Sequence, residues 1–225
     1  MDLRHALRTT GAIRNFTDQE VTDDTLRDIL EDARFAPSGG NRQAWHIIVV
    51  KDRKTRETLR DLYLDGWHDY IAHHLVGLTP FSPLATDEDR RAVAAKRADA
   101  EALSKPTGFA ERLDESPVLL VLLADLGALA AIDRDLGRYT ITGGASIYPF
   151  AWNILLAARE RGLGGVMTTI ATRNEPKVQA LLGLPETFAI ASVMALGYPE
   201  KEFTRLTRNA VEEFTTVDRF NGQVF

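Results

Sequence analysis

The stretch Ala36 to Val50, APSGGNRQAWHIIVV, runs from a helix stop through a loop of small and amide residues into an apolar strand. Pro37 ends whatever helix precedes it, because the ring clashes with the turn behind it. Ser38, Gly39, Gly40, Asn41 and Gln43 then offer hydroxyl, amide and backbone groups with little bulk. Such a loop suits a flat polar ligand that needs many hydrogen bonds at close range. Read alone, it fits an ordinary helix-to-strand connection at least as well.

The flanking sequence places the loop between a helix and a strand. Upstream, Thr22 is a good N-cap, and Val21 and Leu26 have the spacing of a hydrophobic staple. Leu26, Ile29, Leu30 and Ala33 keep helical period up to Pro37. Downstream, Trp45 to Lys51 reads as a strand apolar throughout, and therefore central in its sheet. Further strands are expected at Pro117 to Asp125, Val166 to Ile170 and Phe188 to Leu196. Helices are expected at Asp2 to Thr10, after Asp52 through Thr58, Leu59, Leu62 and Tyr63, at Ser146 to Arg161, and at Glu175 to Leu182 before Gly183. Gly66 to Glu115 is looser and more polar, divided by prolines, and reads as an excursion or lid whose Asp87 to Glu101 run is a solvated helix. From Glu200 to Phe225 no core pattern appears, yet Phe203, Val211, Phe214, Val217 and Phe220 leave an apolar tail that should cover its own domain or a partner. Helices and strands mix along all 225 residues with no repeat or linker, so one α/β or α+β layered domain over 1–225 is expected.

Composition removes several kinds of chemistry. Apolar and charged fractions of 44% and 26% are those of an ordinary globular protein. A net charge of −5 with no basic tract gives no footprint for nucleic acid. Without cysteine there is no disulfide, thiolate catalysis, iron–sulfur cluster or cysteine-bound zinc. The N-terminus MDLRHALRTT lacks an apolar signal core, and no apolar run approaches the roughly 20 residues of a membrane helix, so a soluble, cytoplasmic protein is expected.

Site motifs are mostly absent as well. Gly144-Ala145-Ser146-Ile147-Tyr148 has the first half of a nucleophile elbow without its closing glycine. Neither a Walker loop, a GxGxxG after a strand, nor HExxH occurs. Asp65, His68, Asp69 and His73 stand three and four apart, so they share a helix face that could bind zinc, iron or manganese, or could simply be a solvated face. The second reading is preferred, since no further ligand declares itself.

Four motifs in order resemble the FMN-dependent nitroreductase family over nearly the full chain. AIRNFTDQEV is similar to the family's segment in which an arginine or lysine precedes a phenylalanine by two. APSGGNRQAWHIIVV is similar to its P-S-x-x-N-x-Q-P-W segment, with Ala44 for the usual proline. ARERGLGG followed by VMTT resembles its glycine-rich turn and flavin-facing strand, and GYPEKEF with two later arginines its phosphate-binding tail. The resemblance implies an α+β three-layer sandwich, with a mostly antiparallel sheet flanked by helices. It also implies an intertwined homodimer, the 200–225 arm embracing the neighbour and an FMN in each of two interfacial sites.

By that resemblance Arg14 lies beside the pyrimidine end of the flavin, where a cation stabilises the charge that develops on reduction. Pro37, Ser38, Gly39 and Asn41 are expected to reach the flavin of the other subunit. Gln43 is either their neighbour or a strand-start residue that only packs. Thr168 and Thr169 would lay backbone across the flavin's N5 side, an amide from Thr169 hydrogen-bonding it, or they are plain β-formers. Arg205 and Arg208 would take the phosphate. Many members carry one more phosphate arginine where this chain has Thr10 and Gly11. Either Arg8 reaches round from the preceding helix, or the hydroxyls of Thr9 and Thr10 substitute.

The implied activity is an NAD(P)H oxidoreductase with alternating half-reactions, passing hydride through flavin N5 to a nitroaromatic, quinone or similar small acceptor. Trp67, Tyr70, Phe81 and Phe109 are candidates for the substrate wall, or they pack against the core. Rival readings are a specialised oxidase, dehalogenase or flavin-destroying enzyme of the same fold, and a protein that stores or senses FMN without turnover.

Overall fold

The computed structural model describes residues 2–225. Four strands, β1 (Trp45–Val49), β2 (Val118–Asp125), β3 (Gly164–Thr168) and β4 (Phe188–Gly197), form one sheet in the order β1-β2-β4-β3. Every neighbouring pair is antiparallel. β2 is buried along almost its whole length because alternate side chains enter two different cores. Leu120 and Leu122 meet α2 (Asp23–Ala33) and α6 (Tyr148–Glu160) on one face. Leu119, Val121 and Leu123 meet α3 (Arg53–Leu75) and α7 (Glu175–Leu182) on the other. The layering is helix, sheet, helix, in an α+β chain.

The apolar run of β1 does not make it central. β1 is an edge strand, paired only to β2. Its run is apolar because Trp45, Ile47 and Val49 pack on one core while Ile48 and Val50 pack on the other. A continuous apolar strand reports two covered faces; its place in the order is decided by hydrogen-bonding partners that the pattern does not encode.

Helix starts follow their caps. Asp2, Thr22, Asp52 and Thr86 each accept a hydrogen bond from the backbone N–H three residues on. The first helix, α1, covers Leu3–Thr9. Other boundaries differ from the sequence expectation. α3 continues through Gly66 to Leu75, and the 87–101 run is two helices, α4 (Asp87–Ala95) and α5 (Arg97–Ala102), unwound at Lys96. The third strand in the chain occupies Gly164–Thr168 rather than Val166 to Ile170, so Thr169 lies just beyond it.

Gly66 is tolerated in mid-helix for a packing reason. A Cβ there would come within 2.9 Å of both Cγ2 and the carbonyl oxygen of Ile170. α3 can therefore lie directly on the turn that follows β3. Helix propensity alone would make Gly66→Ala stabilising by about 1 kcal/mol. Overpacking against a backbone carbonyl costs about 1–3 kcal/mol, so the variant is expected to lower the urea midpoint; a raised midpoint would show that this contact is slack.

Candidate functional site

Residues 12–17 leave α1 and run along the sheet at β3. Ala12 bridges to Gly165 in parallel, and the Ile13 amide donates to the Gly165 carbonyl at 2.9 Å. This approach needs glycine: a Cβ on Gly164 would come within 2.6 Å of Ile13 Cγ1. Ile13 is buried, and its neighbour Arg14 is exposed. The Arg14 guanidinium lies 5.9 Å from the ring centroid of Phe109 and makes no ion pair among the described residues. Phe109 meets Tyr63 edge-on at 6.3 Å, and the Tyr63 hydroxyl is 3.1 Å from Thr168 Oγ1. Burial pushes the Tyr63 phenol up, against the opposing effects of the Thr168 hydrogen bond and the Arg14 charge. Arg14 and Thr168, which the sequence singled out separately, thus belong to one neighbourhood, with exposed Thr169 at its edge.

The tail runs antiparallel to the same segment. Thr17 donates to the Tyr198 carbonyl at 2.8 Å, Glu200 to Asn15 at 3.2 Å and Leu206 to Arg8 at 3.1 Å. Phe203 covers Gly11 so closely that a Cβ there would meet its ring at 2.6 Å. A buried arginine, Arg159 of α6, holds this stretch through Glu202 at 2.8 Å. The Leu206 bond brings Arg205 alongside the last turn of α1, which carries Arg8, and Arg208 follows three residues on from Arg205; none of the three has an acidic partner among the described residues. The hydroxyls of Thr9 and Thr10 are unavailable as substitutes: both residues are buried and donate back to His5 and Ala6 carbonyls, each at 2.8 Å.

The loop from Pro37 to Gln43 lies elsewhere. Gly40, Asn41 and Gln43 have φ of 61°, 53° and 51°. Left-handed backbone at non-glycine residues is uncommon and persists only where surroundings hold it. Here Ser38 accepts from the Gln43 amide at 2.9 Å through Oγ and from the Asn41 amide at 2.9 Å through its carbonyl. Ser146 Oγ accepts from the Gly39 amide at 3.0 Å. Asn41 and Gln43 are left exposed, with one long contact of 3.4 Å between their side chains. Ser146 itself ends a segment folded round Asp133, whose carboxyl is held well below its usual range by the Thr142 hydroxyl, the Ile141 amide and Arg138.

Within one chain the loop and the Arg14–Thr168 neighbourhood do not meet. They belong to β1 and β3, the opposite edges of the sheet, which three strand spacings put about 14 Å apart. They also differ along the strands: Thr168 is level with Val193 and Val121, hence with Ile48, while the loop ends before Trp45.

The acidic face of α3 has another use. Arg97 pairs with Asp65 and Asp69 at 2.6 Å each and with Glu101 at 2.8 Å, tying α5 to α3. Asn174 donates to Asp65 at 2.8 Å, and that bond, reinforced by Arg97, holds the carboxyl below its usual range. His73 is bonded to the Asp69 carbonyl at 2.7 Å. These carboxylates serve an ion-pair knot between helices.

Two residues that position the candidate site were not readable as such, Tyr63 and Ser146, while Phe109 stood among the candidates for a substrate wall. Tyr63 stands in an apolar helical period, and only the fold brings its hydroxyl to Thr168. The Gly-Ala-Ser half-motif drew notice to Ser146 for a chemistry that it does not perform.

The chain belongs to the nitroreductase family, whose pattern matches residues 7–198, and it is an oxidoreductase enzyme of that type. It is similar to an NADH dehydrogenase of Thermus thermophilus, 29% identical over 90% of this chain and 89% of the relative. It is also similar to a nitrobenzene nitroreductase of Ectopseudomonas oleovorans, 27% identical over 93% and 94%. Among solved structures, a BluB-like flavoprotein of Clostridium difficile superposes with a TM-score of 0.67 over 97% of this chain and all of that one, at 22% identity. No helix among the described residues is long and apolar enough to cross a membrane.

Ser146→Ala removes one acceptor from the strained loop, worth about 1 kcal/mol. Hydrogen exchange at the Gly39 amide should accelerate roughly fivefold with the fold intact. Unchanged protection would mean that Ser38 alone holds the loop.

Proposed function

We propose that the chain is an FMN-dependent NAD(P)H oxidoreductase acting as a homodimer, with each flavin held between one subunit's Arg14–Thr168 neighbourhood and the other subunit's 37–43 loop. The observation that carries this reading is the separation of two prepared half-sites at opposite sheet edges. Each is incomplete: cations without an acidic partner among the described residues on one side, and a left-handed loop with exposed Asn41 and Gln43 on the other. The donor set suits the cofactor, with arginines for a phosphate and a cation, amides and hydroxyls for a flat heterocycle. The flavoprotein among its structural neighbours and the two relatives' names point the same way.

When bound, the flavin supplies two-electron chemistry, receiving hydride at N5 from NADH or NADPH and yielding it to a nitroaromatic, quinone or similar acceptor. The chain's own residues bind and tune. Arg14 places a fixed positive charge beside the pyrimidine ring, favouring the reduced, more negative state. Thr169, exposed just past β3, offers its backbone amide to the ring, while Tyr63 holds the preceding Thr168 in place. Ser38 and Ser146 keep the loop in shape so that Gly39 and Asn41 can approach the partner's cofactor closely, with Pro37 and Gln43 flanking them. Arg8 takes the role of the missing phosphate arginine beside Arg205 and Arg208. The exposed apolar groups of the 200–225 arm, among them Phe214 and Phe220, are assigned to the subunit contact.

Purified protein should be yellow, and its absorbance should bleach anaerobically with NADH or NADPH. Colourless protein that FMN neither binds nor stabilises overturns the reading. Arg8→Gln should weaken FMN binding by about tenfold to a hundredfold while leaving riboflavin binding unaltered, as expected for a charged hydrogen bond of about 1.5–3 kcal/mol. Equal loss for both ligands would remove Arg8 from the phosphate. Arg14→Met should lower the flavin midpoint potential, measured by dye titration; an unchanged potential would place the Arg14 charge away from the ring.

A further inference from the structure

A cleft of about 630 Å³ lies at the end of the sheet where β1 and β4 finish and β2 begins. It is lined by the 14–23 segment, by Arg56 in the first turn of α3, and by residues between 107 and 117, with Lys51 and Glu200. A volume of this size takes a drug-sized molecule. Arg14 and Phe109 belong both to its lining and to the Arg14–Thr168 neighbourhood, so the two adjoin.

The charges of the lining are sorted by depth. Lys51 is engaged by Asp23 at 2.5 Å and Arg112 by Glu115 at 2.6 Å, so those four cancel in pairs. Arg56 is half-buried and has no such partner. Its Nη2 donates to the Ser116 carbonyl, and its Nε is enclosed without a hydrogen bond among the described residues. Nη1 is bonded to nothing among them and is not enclosed. Burial pushes the Arg56 guanidinium below its usual range, opposed only in part by Asp114, which already pairs with Arg60 at 3.2 Å and Arg53 at 3.3 Å. A half-buried cation so placed gains from an anion. The carboxylates of Asp18, Glu20 and Glu200, in contrast, are exposed and pair with no cation among the described residues. Arg112 feels the charges of Glu200 and Asp18, which puts both near it. The cleft thus carries a cation inside and carboxylates at its rim.

We propose that this cleft binds the adenosine diphosphate half of the reductant, with Arg56 on the diphosphate and Asp18, Glu20 and Glu200 at the adenosine ribose, and that these carboxylates make NADH the preferred dinucleotide over NADPH. This rests on the flavoenzyme reading above, which treats the two reductants alike. A dinucleotide has two ends: the adenylate stays in the cleft while the nicotinamide passes exposed Arg14 to the flavin ring. A guanidinium suits diphosphate oxygens. An ionised carboxylate only accepts, so it matches the ribose hydroxyls of NADH. It repels the 2′-phosphate that NADPH carries in place of one of them. Half-buried Phe16, Val21 and Pro117 give the adenine an apolar surface. With cations at the rim, the same cleft would favour NADPH.

The probes are ADP-ribose and 2′-phospho-ADP-ribose, the parts of NADH and NADPH that lack nicotinamide. Titrated calorimetrically into the oxidised wild-type protein, ADP-ribose should bind, and the 2′-phosphate should weaken binding on the order of tenfold. Arg56→Gln should weaken both ligands by about tenfold to a hundredfold. A second variant, with Asp18→Asn, Glu20→Gln and Glu200→Gln together, changes only exposed side chains and should close the gap between the ligands. A gap that persists there would overturn the specificity role of the rim. In anaerobic rapid mixing, Arg56→Gln should raise the NADH concentration that half-saturates flavin reduction by the same factor, with the limiting rate unchanged. Reduced nicotinamide mononucleotide, which has no adenylate half, should reduce the variant as it reduces wild type. Equal loss with both donors would make Arg56 a structural residue and overturn the cleft assignment. So would a wild-type protein that NADH reduces but ADP-ribose does not bind. Failure of NADH and NADPH alike to reduce the wild-type protein would overturn the flavoenzyme reading and the reductant's place in the cleft with it, while the titration would still show whether the cleft takes an adenylate.

Discussion

Everything at the candidate site depends on how closely residues 12–17 can lie against β3. The contact between Ile13 and Gly164 leaves no room for a side chain on the strand, and the Ile13 amide is spent on Gly165. Buried Ile13 fixes the segment, and the alternation of extended backbone then turns Arg14 outward over Phe109. The C-terminal ribbon pairs along the other side of this segment, so its arginines inherit their positions from the same anchor. A larger residue at Gly164 would displace Arg14, the tail and Arg8 together.

The sheet order is the second constraint. An antiparallel sheet in the order β1-β2-β4-β3 puts the loop before β1 and the turn after β3 on opposite edges. Within one chain the two therefore do not meet. The left-handed conformations of Asn41 and Gln43 are held through Ser38, and Ser146 holds the neighbouring Gly39, on an edge where the side chains of Asn41 and Gln43 bond only one another and the Asn41 carbonyl among the described residues.

Charge is distributed unevenly between scaffold and site. Arg97, Arg159 and Arg161 are committed to acidic partners that tie helices or the tail to the body. Arg8, Arg14 and Arg205 carry no such partner among the described residues. An exposed cation without a partner gains from an anion placed beside it. Glu111 is likewise committed to the scaffold, accepting from Ser104 and from the Lys105 amide.

Local pattern was enough for the elements and the chemistry of the parts. Caps at Thr22 and Asp52, the stop at Pro37, the close of α7 at Gly183 and the apolar strands are governed by forces acting within a few residues, and they are legible in the chain. So were the candidate residues, because a glycine-rich loop and unmatched arginines are written in residue types. What the tertiary structure decided is everything that depends on distant partners. It made β1 an edge despite its apolar run, carried α3 through Gly66 onto Ile170, and tied the Thr9 and Thr10 hydroxyls back into α1. It joined Asp65 and Asp69 to Arg97 instead of leaving them to a metal or to water. Those outcomes follow from packing and hydrogen-bond competition between segments tens of residues apart. No periodicity in the sequence records which of them wins.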